Sequence, residues 1–347
     1  MRIAITGASG NAGTALLRNL QGQLSRKPGS LQLVGISRRL PDTFREPYDG
    51  VQWHTLDVGL DQDRPLLEKA LEGVDSVVHL AWQIQPNHNL PLLHRTNVNG
   101  TRNVLEAAAK MGVKQVVCAS SVGAYSKSGK EQRRDESWPA TGMAGSHYSR
   151  HKAEQEKLLD QFAAAEPEIS VARLRPALIF QGKAGSEIGR YFLGHVFPRL
   201  VPRKPWVPLL PAPDNLIFQA VHADDVAEAY WRVVDQRASG AFNIAAEPVL
   251  TPQVLARILG ARRILPIPMR LLHAVVDLTW RARIQPTDSG WVDMAAGAPV
   301  MDTSRAQRIL GWEARISSVD AVKELLAGMG TGEGVDPSPV LAPRRRS

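Results

Sequence analysis

Short apolar runs alternate with segments of helical period through the first half of the chain. Arg2-Ile3-Ala4-Ile5 has the form of a buried strand, and Leu31–Ile36, Val51–Leu56, Val74–Leu80 and Val113–Ala119 repeat it. Between the last two, Val98, Thr101, Val104, Leu105 and Ala108 fall at helical spacing within Thr96–Lys110. A helix over Tyr148–Ala165 and a strand over Ile169–Leu174 continue the alternation. Strands that alternate with helices are joined by crossovers, which predicts an α/β fold with a doubly wound parallel sheet. Beyond Pro176 the pattern changes, because prolines at 198, 202, 205, 208, 211 and 213 exclude long regular elements. Phe218–Ala227 then returns to strand and helix, Ala241–Ala245 to strand, and Thr251–Leu259 to helix. This predicts a sheet domain from residues 1–176 and 217–246, with a small C-terminal lobe from 177–216 and 247–330 folded over the sheet edge. Residues 331–347, rich in Gly, Pro and Arg without periodicity, read as a disordered tail.

The first strand runs into Thr6-Gly7-Ala8-Ser9-Gly10-Asn11-Ala12-Gly13, and a helical pattern over Thr14–Leu20 comes next. Glycine at this spacing lets the chain turn sharply and approach a pyrophosphate without a Cβ in the way. The helix after the loop aims its free N–H groups and positive dipole end at the phosphates. Strand, glycine loop and helix together predict a Rossmann-type dinucleotide site.

Tyr148 and Lys152, four residues apart, share one face of their helix. A phenol titrates near ~10, too high for acid–base work at neutral pH. A neighbouring ammonium favours the phenolate, so Lys152 is expected to pull Tyr148 downward. Ser121 closes the Val113–Ala119 strand at the carboxyl edge where doubly wound sheets bind ligands, and its hydroxyl can share the substrate oxygen with Tyr148.

Composition narrows the field. At 347 residues the chain has room for an ample core, and 44% hydrophobic with 22% charged residues is ordinary for a soluble globular protein. The glycine loop interrupts any apolar run that a secretory signal would need. A single cysteine, Cys118, excludes an intramolecular disulfide and points to a reducing, cytoplasmic location; within an apolar run it reads as a core residue. Without a Cys/His cluster of zinc spacing, no metal is expected. A net charge of +8 and a pI near 9.8 raise the question of nucleic acid. The positive residues are dispersed among loops (Arg38-Arg39, 127–134, 199–204, 344–346) with no nucleic-acid motif, so none is expected as partner. Ile264–Trp280 is the most lipid-like stretch, but Arg270, His273 and Asp277 exclude an integral membrane segment. It reads as an amphipathic helix covering a pocket or, alternatively, lying on a membrane surface.

These motifs together resemble the extended short-chain dehydrogenase/reductases, in their NAD-dependent epimerase/dehydratase group. The resemblance runs from Met1 to about Trp312. It passes through the Thr6–Gly13 loop, Asp57-Val58, His79-Leu80-Ala81, Asn97–Thr101, Ser120-Ser121 with Tyr125, Tyr148 and Lys152, Arg175-Pro176, Val221–Ala227, and Asp302 with Leu310-Gly311-Trp312. It implies that Tyr148 is the acid/base, Lys152 also a ligand of the nicotinamide ribose, and Ser121 the partner of the reacting oxygen. It further implies that Asp57, Val58, Leu80, Ala81, Asn97 and Pro176 serve the cofactor, and it suggests a homodimer.

The departures refine this picture. Where NAD-preferring members carry an acid, this chain has Ser37-Arg38-Arg39, which suits a 2′-phosphate, so NADP is expected over NAD. Dehydratases that resemble it place Asp-Glu after the active-site hydroxyl; here stand Val122-Gly123. Epimerases of the group carry an Arg-x-Gly-Asp-like stretch, whereas Asp288–Asp293 lacks the arginine, although Arg281 and Arg283 remain available to a phosphate. Trp82 replaces a small residue and is expected to crowd the pocket floor. Trp206, Trp280 and Trp291 are candidates for an apolar pocket wall, or for ordinary core. His222 is expected in a structural turn, and Asp225 as a carboxylate at a helix N-terminus. The leading expectation is an NAD(P)-dependent oxidoreductase acting on a secondary alcohol or ketone. A nucleotide-sugar 4-epimerase with retained NAD and a non-catalytic NAD(P)-sensing protein are the alternatives; the Tyr–Lys pair argues against the last.

Overall fold

A computed structural model describes residues 1–85, 87–193 and 207–344. Its central sheet holds parallel strands β1 (Arg2–Thr6), β2 (Gln32–Ser37), β3 (Gln52–Thr55), β4 (Ser76–His79), β5 (Gln115–Ala119), β6 (Ser170–Pro176) and β7 (Gly240–Ile244). Their spatial order is β3-β2-β1-β4-β5-β6-β7. The order reverses between β1 and β4, the switch point outside whose carboxyl ends such sheets bind ligands.

Strand register explains the apolar runs. Ile5 lies beside Val78, Val78 beside Val117 and Val117 beside Ala172, all in the core on one face. One residue earlier, Ala4, Val77, Val116 and Val171 form the matching row on the other face. With both faces covered, neither row can be polar. Helices α1 (Asn11–Arg26) and α4 (Ala223–Asp235) cover the first face through Leu16, Leu17, Leu20, Val226, Tyr230 and Val233. Helices α2 (Gly100–Lys110) and α3 (His147–Ala165), with the short helix Arg64–Ala70, cover the second through Leu67, Val104, Leu105, Ala108 and Leu159.

Beyond the sheet lie α5 (Met269–Arg281), α6 (Gly290–Gly297), α7 (Ser318–Thr331) and three two-stranded parallel pairs, Leu178–Phe180 with Ala220–His222, Leu209–Ala212 with Arg263–Pro266, and Arg133–Arg134 with Val300–Met301. The tail departs from the expectation of disorder. Through residue 344 it folds back on the molecule, with Leu341 fully buried and the Ser338 hydroxyl donating to the Ser9 carbonyl at 2.8 Å. Asp42 N–H donates to the Pro337 carbonyl at 2.9 Å, and the Arg190 guanidinium to that of Val340 at 2.9 Å. A buried apolar anchor and specific polar partners outweigh a composition that reads as featureless. Residues 345–347 lie outside the described residues.

Candidate active site

The glycine loop opens at the switch point. Gly7 has φ +71°, a conformation that disfavours side chains, and a Cβ there would come 2.8 Å from the Ala81 nitrogen. A Cβ at Gly13 would fall against the Gly7 carbonyl, so α1 packs on the loop only because this residue is glycine. No side chain caps the N-terminus of α1, whereas Ser146 caps α3 and Ser317 caps α7. The first N–H groups of α1 are thus left for an anion.

Gly7, Ser9, Gly10, Asn11, Ala12 and Gly13 line one end of a cleft of about 660 Å3, which continues past Ser37, Arg38, Arg39, Asp57, Val58, Leu80 and Ala81 to Ser121, Tyr148, Lys152 and Pro176. That elongated shape, with its uncapped helix and bare glycine backbone, fits a dinucleotide. Thr6 and Asn97 stand behind the wall instead. The Thr6 hydroxyl lies 2.7 Å from His79 Nδ1 and accepts from Ala81 N–H at 3.2 Å; His79 Nε2 lies 3.0 Å from the Thr101 hydroxyl. Burial and the Lys152 charge lower His79 to about 3, so this chain of bonds is neutral. Asn97, in the π-helical turn Arg95–Asn99, accepts from Gln83 N–H at 2.7 Å and donates to its carbonyl at 2.8 Å. It orders the cleft loop rather than facing the cleft.

Along the cleft wall, the Ser37 hydroxyl donates to the Arg39 carbonyl at 2.8 Å, and exposed Arg38 donates to Gln83 Oε1 at 2.9 Å. Asp57 accepts from Gly59 N–H at 2.9 Å and pairs with Arg95 at 3.3 Å. Sequence reasoning missed Glu187 and Tyr191 on helix Gly185–Leu193, which line the cleft. Burial pushes the Glu187 carboxyl up to about 7, against the pull of Tyr191, Arg190 and Arg39. No motif marks them, since the helix is brought there by tertiary packing alone.

Tyr148 is enclosed by aromatic rings, 5.8 Å from Trp82 edge to face and 4.9 Å from Trp291. Burial pushes its phenol up to about 12, and a hydrogen bond with Ser121 only partly offsets this. The expected lowering by Lys152 does not arise here, since Lys152 is not among the groups that act on the phenol. Lys152 Nζ donates to the Ala119 carbonyl at 2.6 Å and to Gln155 Oε1 at 3.0 Å, and lies 3.4 Å from the centroid of Trp82. The indole contacts both residues, and burial lowers Lys152 itself to about 7. Ser121 Oγ accepts from Gly123 N–H at 3.0 Å, which leaves its own hydrogen free to donate.

Behind the trio, Ser120, Arg173 and Arg175 all bond to Glu156 of α3, the last through Nε and Nη2 at 2.9 Å each. Tyr125, donated to by Arg175 at 3.0 Å, donates in turn to Asn243 at 2.6 Å. Cys118 is a core residue of β5, its thiol pushed up to about 12 by burial. His222 caps α4, accepting from Asp224 N–H at 3.1 Å, so it belongs to a turn. Asp225 does more than face its helix end: it accepts from the backbone N–H groups of Arg315 and Ile316 at 3.1 and 2.9 Å. Trp291 lines the cleft, Trp280 stacks on His88, and Trp206 lies outside the described residues.

The switch-point parallel sheet, opening on an uncapped glycine loop, defines a Rossmann-type α/β fold. The profile of the NAD dependent epimerase/dehydratase family matches residues 3–245, and the chain belongs to that family. It is 28% identical over 310 residues to an uncharacterized protein of Mycobacterium tuberculosis, covering 88% of this chain but only 27% of that protein. The chain thus spans about a quarter of the length of this longer relative. Over 125 residues it is 35% identical to the N-acetyl-alpha-D-glucosaminyl-diphospho-ditrans,octacis-undecaprenol 4-epimerase of Escherichia coli O157:H7, covering 35% of this chain and 37% of that one. A putative dihydroflavonol 4-reductase of Synechocystis is 35% identical over 165 residues, 44% of this chain and 43% of its own. Among solved structures, UDP-glucose 4-epimerase of Thermus thermophilus in complex with NAD superposes with a TM-score of 0.66 at 21% identity, over 95% and 99% of the two chains. The dTDP-glucose 4,6-dehydratase of Streptomyces venezuelae, with NAD bound, gives 0.68 at 19% identity, over 94% and 96%. These structures share the fold.

Proposed function

We propose that the chain is an NAD(P)-dependent oxidoreductase of the extended short-chain type, interconverting a secondary alcohol and a ketone with NADP(H) preferred. The observation that carries this reading is Tyr148, buried at the cleft wall beside Ser121 with its phenol held protonated. The glycine loop, the first turn of α1 and Ser37-Arg38-Arg39 would hold the dinucleotide, the two arginines pairing with a 2′-phosphate. Bound there, the nicotinamide supplies or takes up the hydride. Ser121 donates a hydrogen bond to the substrate oxygen, and Tyr148 delivers its proton to that oxygen as a carbonyl becomes an alcohol. Lys152, from its buried position on α3, would serve the ribose once Trp82 yields the space. Trp82, Phe192, Trp291 and Met294 give this end of the cleft apolar walls, which suit an apolar ketone.

A nucleotide-sugar 4-epimerase that retains NAD is the second reading, favoured by the similarity to the Escherichia coli epimerase over about a third of the chain. The deciding measurement identifies the nucleotide released on denaturing freshly purified protein, with NADPH and NADH titrations alongside. An empty site that takes up NADPH supports the reductase; NAD that survives purification supports the epimerase. Tyr148→Phe is expected to lower turnover by about 10²–10⁴-fold with dinucleotide affinity unchanged. A fully active variant refutes the role given to Tyr148.

A further inference from the structure

Helix α5 turns a half-buried side of mixed character, with Leu272 and Val276 beside its polar residues, to the protein and an apolar stripe to solvent. Its polar residues His273 and Asp277 face the protein: His273 lies 3.5 Å from Asp293 of α6, and Asp277 accepts from the Ser289 hydroxyl at 3.5 Å. Trp280 on the same side stacks on His88 at 4.4 Å and donates to Asn87 at 3.0 Å. The opposite stripe, at helical spacing, is Leu271, Ala274, Val275, Leu278 and Ala282, all exposed. Leu271 is 51% exposed, Val275 50% and Leu278 69%, with Ile284 at 64% just beyond the helix. None of the residues of α5 is fully buried. A helix of a globular domain turns its apolar stripe inward, so this arrangement marks a contact surface.

Charge decides what fits it. Arg270 and Arg281 stand on the helix, Arg283 just beyond it, and Arg262 and Arg263 at the strand that precedes it, all exposed, and Asp277 is the single acid between residues 262 and 284. Asp277 pairs with Arg281 at 2.8 Å, and the other four arginines have no acidic partner among the described residues. A second copy docked face to face would bring these arginines together without counter-charge. An anionic bilayer accepts both features, apolar side chains below the headgroups and arginines among them. Among the described residues no helix is long and apolar enough to cross a membrane.

We propose that α5 docks this protein onto the surface of an anionic membrane, lying in the interface plane through Leu271, Val275, Leu278 and Ile284. The face is one helix removed from Trp291 and Met294 of α6, which line the cleft, so docking holds the substrate end close to the bilayer. The inference is independent of which reaction the cleft performs.

The test is flotation of the full chain with vesicles of phosphatidylcholine alone or mixed with phosphatidylglycerol. The native protein should float with the mixed vesicles and be released by salt. Val275→Glu/Leu278→Glu and, separately, Arg270→Glu/Arg283→Glu should weaken flotation by about tenfold or more. Both pairs are exposed, so melting temperature and dinucleotide titration should stay native and certify the fold. The proposal is overturned if the native protein stays in solution, if either folded double variant floats like the native one, or if neutral vesicles bind equally well. A concentration-dependent dimer dispersed by Leu278→Glu, without flotation, would overturn it in favour of a second copy.

Discussion

At the scale of single residues, Trp82 contacts both groups that the helix spacing pairs. Its indole covers Lys152 Nζ and meets the edge of Tyr148, so the phenol feels burial and Ser121 in place of an ammonium. The proposed carbonyl reduction needs the phenol protonated, and a folded value of about 12 should keep the alkaline limb of kcat/KM far above neutral pH. Trp82→Ala admits water, lets Lys152 hold its proton and act on the phenolate, and should move that limb to lower pH. An unchanged pH profile would count against this account. Arg38 and Arg39 make the other residue-scale prediction. Arg38→Asp/Arg39→Ser should cost NADPH about tenfold to a hundredfold in affinity, the value of one to two charge-assisted bonds, while NADH binding holds or improves. Titration of both nucleotides checks it. The two arginines were legible in the sequence because they directly follow a strand. The conformation of Trp82 was not, because it depends on a helix 66 residues further along.

At the scale of elements, α3 does two jobs along its length. Tyr148 and Lys152 look toward the cleft, while Glu156, one turn on, ties α3 to β6 through Arg173 and Arg175. The arginines, with the Ser120 bond, hold Glu156 down at about 2 against the desolvation that would raise it. A folded value below the unfolded one stabilises the protein above about 4.5, and that stability is lost as pH falls from there toward 2. Glu156→Gln leaves the buried Arg175 guanidinium without a carboxylate, while Arg173 keeps only Asp160, and should destabilise the fold by about 3–5 kcal/mol at neutral pH. Thermal melts from neutral to acid pH should show a steep decline for the native protein and a shallower one for the variant. Helix existence here was plain from periodicity. The network was not, because Glu156, Arg173 and Arg175 meet only after α3 packs on the sheet.

At the scale of the whole molecule, the tail packs against the glycine-loop end of the cleft. Leu341 is fully buried and Ser338 bonds the backbone of Ser9 in the glycine loop. Leu341→Ala should cost about 2–5 kcal/mol in chemical denaturation, and Ser338→Ala about 1 kcal/mol with faster dinucleotide release in stopped flow. A tail without a structural role would leave both measurements at native values.

Short-range periodicity, and motifs whose spacing carries a mechanism, let the sequence by itself determine the parallel strands, the crossover helices, the glycine loop, Ser121 with Tyr148, and the arginines after β2. Each depends on neighbours in the chain or on one element. Tertiary structure alone decided which side chain stands beside which across the fold. It therefore decided the protonation of Tyr148, the seat of Lys152, the cleft-facing Glu187 and Tyr191, and the anchoring of the tail. Those properties arise from desolvation and from contacts between residues far apart in sequence, and neither quantity has a period or a local signature.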